Sequence, residues 1–169
     1  MLKAFVEFSK ANPETHLVIA GPDEEGLSEG LLTYAAVHGL RDRVHFPGML
    51  EGEAKCGAFR GAEVFILPSH QENFGIVVAE ALSWSKPVLV TDKVNIWREV
   101  ASSGAGLVES DTFDGILKLL LQWGALPEAS REDMAQSAKE CFAKNFTIDR
   151  AAEDLYLALA RAIQNPKLL

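Results

Sequence analysis

Two carboxylates, Glu72 and Glu80, bracket the run Asn-Phe-Gly-Ile-Val-Val-Ala, with Gly75 between them. Gly75 opens an apolar stretch that reads as a helix. The amides of Asn73, Phe74, Gly75 and Ile76 are therefore expected to gather free at the positive end of its dipole, where an anion fits. Glu80 is the only charge between Gly75 and Lys86. Burying it unpaired would cost several kcal/mol, so it must reach solvent or be held by specific donors. Helical side chains lean towards the N-terminus, which aims Glu80 back at the loop carrying Glu72, roughly 8 to 12 Å away. A phosphate flanked by carboxylates that grip hydroxyls is one way to hold a nucleotide sugar. On these residues alone a plainer reading stands level with it, in which Glu72 complements the dipole and Glu80 points to water. An acid–base pair hydrolysing sugars is also compatible with the spacing, as an inverting pair. That third reading calls for aromatic platforms, and the loops hold few.

The elements that position these groups follow from apolar runs and their punctuation. Residues 62–67 read as a short buried strand that Pro68 stops, because proline cannot donate to a ladder. The helix from Gly75 ends before Pro87, and residues 87–91 form the next strand. Upstream, residues 1–12 are helical by spacing, with Leu2, Phe5 and Val6 on one face, and Asn12-Pro13 ends that helix. Residues 17–20 form a buried strand and residues 23–30 an acidic loop. A helix over 31–39 closes on Gly39, and a second strand spans 43–47, in which His45 is expected half-buried. Residues 51–60 form a short helix. Downstream, helices are expected over 95–101, 111–123 and 128–145, with the last strand at 106–109 and a terminal helix capped by Thr147. Strands alternating with helices, and apolar throughout, predict an α/β fold. Its sheet is parallel, doubly wound and covered on both faces in three α/β/α layers. Ligands in such folds sit beyond the carboxyl ends of the strands, where Pro22, Gly48, Ser69 and Asp92 all fall.

The run from Glu72 to Ala81 followed by Lys86-Pro-Val resembles the signature of the retaining glycosyltransferases of family four (group 1), which have the GT-B fold. Leu17-Val-Ile-Ala-Gly-Pro, Arg43-Val-His-Phe-Pro-Gly and Val64-Phe-Ile-Leu-Pro-Ser match the same pattern in the same order, so the likeness covers nearly the whole chain. It implies a Rossmann-like donor-binding C-terminal domain spanning residues 1–169. Glu72 would act on the transferred sugar as the catalytic residue. Asn73, Phe74, Gly75 and Ile76 would lie at sugar and diphosphate, Glu80 on the ribose hydroxyls, and Met49 against the nucleobase. The implied reaction moves a hexose from a nucleoside-diphosphate sugar to a glycan or lipid-linked acceptor, as in polysaccharide biosynthesis, with no cofactor and no metal. The family's acceptor domain lies N-terminal to this one. Its first strand, with an arginine and a lysine that hold the diphosphate, would also precede residue 1. The chain alone is therefore expected to be inactive. The alternative is a non-catalytic Rossmann-like fragment with weak or no nucleotide binding.

Composition excludes other classes. In 169 residues, 24 acidic groups against 16 basic give a formal charge of −8, which opposes nucleic acid or an anionic membrane as the main partner. Cys56 and Cys141 lack metal-ligand spacing and are expected reduced. No apolar run reaches the ~20 residues of a membrane span. A cytoplasmic location follows, at the inner face of the membrane if the acceptor is lipid-linked.

Two departures from the family pattern carry expectations. Ser85 replaces a usual glycine, and a left-handed backbone there would cost about 1 kcal/mol. Lys93 to Arg98 stand where the family often has a glycine pair, and Lys93 reads as a solvated lysine. Without the first strand, residues 17–20 and 64–67 are expected to close up and pair directly, giving the order 3-2-4-5-6. The alternative is a homo-oligomer in which a second copy fills the gap.

Overall fold

The computed structural model describes residues 1–23 and 25–164. Five strands alternate with helices: β1 (Leu17–Ala20), β2 (Val44–Gly48), β3 (Phe65–Leu67), β4 (Val88–Thr91) and β5 (Gly106–Glu109). The helices are α1 (Leu2–Ser9), α2 (Ser28–Val37), α3 (Gly52–Gly61), α4 (Ile76–Ser83), α5 (Trp97–Ser103), α6 (Phe113–Ala125), α7 (Glu128–Asn145) and α8 (Ile148–Gln164). Thr147 Oγ1 accepts from the amide of Arg150, the N-cap expected of it. No described helix is long and apolar enough to cross a membrane.

β4 is the centre. Val88, Leu89, Val90 and Thr91 are all fully buried, and β3 and β5 flank them in parallel. Successive side chains of a strand face opposite ways, and the two layers divide accordingly. Leu89 joins Phe5, Phe8, Leu119 and Trp123 beneath α1 and α6. Val88 and Val90 join Val78, Leu82, Val100 and Ala138 beneath α4, α5 and α7. That is a parallel sheet covered on both faces.

β1 and β2 differ from the expected uniform burial. They pair in parallel as a separate two-stranded sheet, with Leu17 opposite Val44. Their burial alternates, and Val18 is 55% exposed. His45 lies on the open face and is exposed rather than half-buried. Its ring meets that of His16 nearly in plane, with a nitrogen–nitrogen contact of 2.9 Å.

Among the described residues no ladder joins β1 to β3, so the expected direct pairing and the order 3-2-4-5-6 are wrong. The two sheets meet through side chains instead: Leu17, Ile19 and Phe46 from one and Ile66, Leu89 and Leu107 from the other share a single cluster with α1 and α6. Two helices packed side by side span about 8 to 10 Å between axes, roughly twice the spacing of paired strands. With α1 and α6 filling the layer beneath, the edges of β1 and β3 stay apart. Phe65, Ile66 and Leu67 of β3 are each only partly buried.

Candidate functional site

The loop from Pro68 to Gly75 leaves the carboxyl end of β3 and is fastened by its neighbours across the sheet. The buried Thr91 hydroxyl donates to the carbonyl of Ser69. Glu72 forms an isolated parallel bridge with Val94: its amide donates to the Lys93 carbonyl at 3.0 Å, and its carbonyl accepts from the Asn95 amide at 3.1 Å. The Asn95 side-chain amide donates to the carbonyl of Asn73 at 2.7 Å. Residues 93–95, singled out as a departure from the family, are thus the clamp on the Glu72 loop.

Gly75 caps α4 with a φ of +75°. A side chain there would meet Val94 Cγ1 at 3.1 Å and Val78 Cγ2 at 3.3 Å, so the turn requires glycine. The Gly75 amide is not free, as had been expected, but donates to Glu72 Oε1 at 3.2 Å. A carboxylate at the positive end of a helix has this electrostatic reason to reach for the first amide. The amides of Asn73, Phe74 and Ile76 donate to no acceptor among the described residues. Phe74 is 47% exposed and packs edge-on against Phe146, while Ile76 faces outward.

Glu80 is half-exposed and paired. Its Oε1 accepts from Lys55 Nζ at 2.7 Å, and Oε2 lies 2.6 Å from the same nitrogen. Lys55 comes from α3, whose inner face is Lys55, Cys56 and Phe59. Met49, in the loop between β2 and α3, is largely exposed.

Charged groups cluster above β4 and β5. His70 Nδ1 lies 2.9 Å from Asp111 Oδ2, and this hydrogen bond holds the Asp111 carboxyl below its ordinary value. Lys93 Nζ lies 3.1 Å from Asp92 Oδ1, whose hydrogen bond and charge raise the Lys93 ammonium. No group of three or more His, Cys, Asp or Glu among the described residues could hold a metal ion. A surface depression of about 610 Å³ opens at the opposite, amino ends of the strands, beside Ser85, Pro87, Trp123 and Arg131. It takes in none of these groups.

Lys55, Thr91, Asn95 and Asp111 were absent from the expected site. Lys55 carried a signal: it stands four residues before Phe59, where helical spacing puts another inward residue. The others act across strands and have no local signature.

A covered parallel sheet with a carboxylate-bearing loop and helix beyond its strand ends has the Rossmann-like architecture of a GT-B glycosyltransferase domain. Residues 1–141 match the family of glycosyl transferases group 1, and the chain belongs to that family. It is 29% identical over 155 residues to the D-inositol 3-phosphate glycosyltransferase of Salinispora tropica, covering 90% of this chain and 32% of the relative. The chain thus spans about a third of the length of that relative. Among solved structures it is similar to Anabaena HepE in complex with UDP and glucose, at a TM-score of 0.79, 16% identity and coverage of 95% of this chain and 43% of HepE. It is also similar to the C-terminal domain of a group 1 glycosyl transferase, LpcC, from Francisella tularensis. There the TM-score is 0.74 with 19% identity, covering 87% of this chain and 77% of that one.

Proposed function

We propose that this chain is the nucleotide-sugar-binding part of a retaining glycosyltransferase, moving a hexose from a nucleoside-diphosphate sugar to a glycan or lipid-linked acceptor. The observation that carries the reading is the Glu72 loop: unpartnered amides at Asn73, Phe74 and Ile76 open the dipole end of α4, with one carboxylate on each side. Membership of the group 1 family, and the UDP and glucose bound by the similarly folded HepE, support it.

In this reading the amides receive the diphosphate and stabilise the charge that grows on it as the bond to the sugar breaks. Glu72 keeps Oε1 on the Gly75 amide and turns Oε2 to a sugar hydroxyl. Being tied by main-chain bonds, it needs little rearrangement to do so. Glu80 accepts from the ribose hydroxyls, Phe74 lines the sugar pocket, and Met49 lies along the base. As the acceptor oxygen bonds to the anomeric carbon, the diphosphate leaves with the electron pair and the acceptor's proton passes to it.

Calorimetry with UDP, GDP and ADP, each free and as its glucose conjugate, tests the assignment. Glu80→Ala should weaken nucleotide and conjugate alike, by about 1.5 to 3 kcal/mol for a charged hydrogen bond lost. Glu72→Ala should weaken the conjugate alone. Equal losses on both ligands for both variants would remove the division of roles.

A further inference from the structure

Lys55 is half-exposed, with 37% of its side chain open to solvent, on the side of α3 that carries Phe59. Lys55 shares a face with Phe59, which is only 7% exposed, while Glu51, Gly52, Glu53 and Ala54 are all exposed. A lysine can lay its methylenes along such a face and keep its ammonium at the surface. What holds it is Glu80, both of whose oxygens lie within 2.7 Å of Nζ. Glu80 in turn sits in α4 between the buried Ala79 and Ala81.

We propose that Lys55 is a specificity-determining residue that, together with Glu80, reads the vicinal diol of a ribose. This rests on the reading of Glu80 as the ribose-binding carboxylate. A carboxylate has about four lone-pair sites, so Glu80 can keep the ammonium and still accept from two hydroxyls. The ammonium carries three N–H groups, and those not engaged by Glu80 are available to a hydroxyl oxygen. The carboxylate therefore supplies acceptors and Lys55 a charged donor, which matches a hydroxyl that both donates and accepts. A 2′-deoxy sugar lacks one hydroxyl and would leave a partly desolvated charged group without its partner. Polar sites built this way reject the analogue that lacks the group more strongly than apolar pockets do. Charge-assisted bonds of this kind are about twice as strong as neutral ones.

The test titrates the full chain with UDP, GDP and ADP, each beside its 2′-deoxy counterpart, for the native sequence and for Lys55→Met, Lys55→Arg and Glu80→Gln. The native chain should prefer the ribonucleotide. Lys55→Met should lower ribonucleotide affinity about tenfold and leave the 2′-deoxynucleotide nearly unchanged, collapsing the preference. Lys55→Arg should retain part of it, since a guanidinium also donates to both groups. Glu80→Gln should weaken both ligands. If Lys55 merely ties α3 to α4, Lys55→Met would shift the thermal midpoint and weaken both nucleotides equally, and the proposal is overturned while the Glu80 reading stands. If Glu80→Gln leaves binding unaltered, or none of the nucleotides binds, the donor-site reading falls and this proposal with it.

Discussion

Around Glu72 the fixing atoms belong to the main chain, and around Glu80 they belong to one long side chain. The Glu72 amide and carbonyl both bond to residues 93–95, and a bridge of this kind survives most changes of side chain. Glu80 has its backbone fixed by α4, but its carboxylate depends on Lys55, a residue 25 positions away with four rotatable bonds. Lysine loses up to about 2 kcal/mol of rotamer freedom on ordering, so that contact is the easier one to release. One carboxylate is set by topology and the other by a pairing that a single substitution can undo. The contrast leaves one carboxylate rigidly placed and the other able to move when its partner lets go.

Three further substitutions probe the contrast. Gly75→Ala should be the most damaging, because it forces an alanine to a φ of +75° and drives its Cβ onto Val94 and Val78. A loss of about 2 kcal/mol or more is expected by urea denaturation, from left-handed strain plus crowding. Retained native stability would show that the turn at Gly75 relaxes, and the rigid half of the comparison would fail. Asn95→Ala removes only the side-chain bond to Asn73 and should cost about 1 kcal/mol. Since both main-chain bonds of Glu72 remain, binding of a nucleotide sugar should weaken by less than a few-fold, well short of the effect of Lys55→Met. A tenfold loss would mean that the loop, too, hangs on a side chain. Ser85→Gly acts at the far end of α4 and should stabilise by about 0.5 kcal/mol, relief of left-handed strain outweighing the added freedom of the unfolded chain. Ser85 has a φ of +56° and closes a Schellman motif, its amide donating to the Leu82 carbonyl and that of Lys86 to Ala81. A lowered denaturation midpoint would count against strain at that residue.

The strain at Ser85 was legible through the family resemblance, which puts a glycine at that position. Strand 17–20 and helix 128–145 were read to the residue, since apolar runs and flanking proline or glycine are local signals. Two things were not legible. Whether β1 and β3 pair depends on the width that α1 and α6 occupy beneath them, which no local pattern records. The register that sets Glu72 against Val94 is likewise a property of strands 22 residues apart. Glu80 shows the intermediate case. Its isolation among apolar residues announced that it needed a donor, but only the packing of α3 on α4 says which one.

The division of the strands into two sheets has a mechanical consequence. A hydrogen-bonded ladder resists displacement along its strands, because sliding breaks bonds in register. Interdigitated side chains resist separation but tolerate small translation, the basis of shear motion between packed layers. Ile19 and Phe46 are joined to Ile66 and Leu107 only in the second way, through the side-chain cluster they share with α1 and α6. Met49 travels with β2, whereas Glu72 travels with β3 through β5. The distance between Met49 and Glu72 is therefore a soft coordinate, which changes by sliding one sheet past the other without breaking a backbone bond.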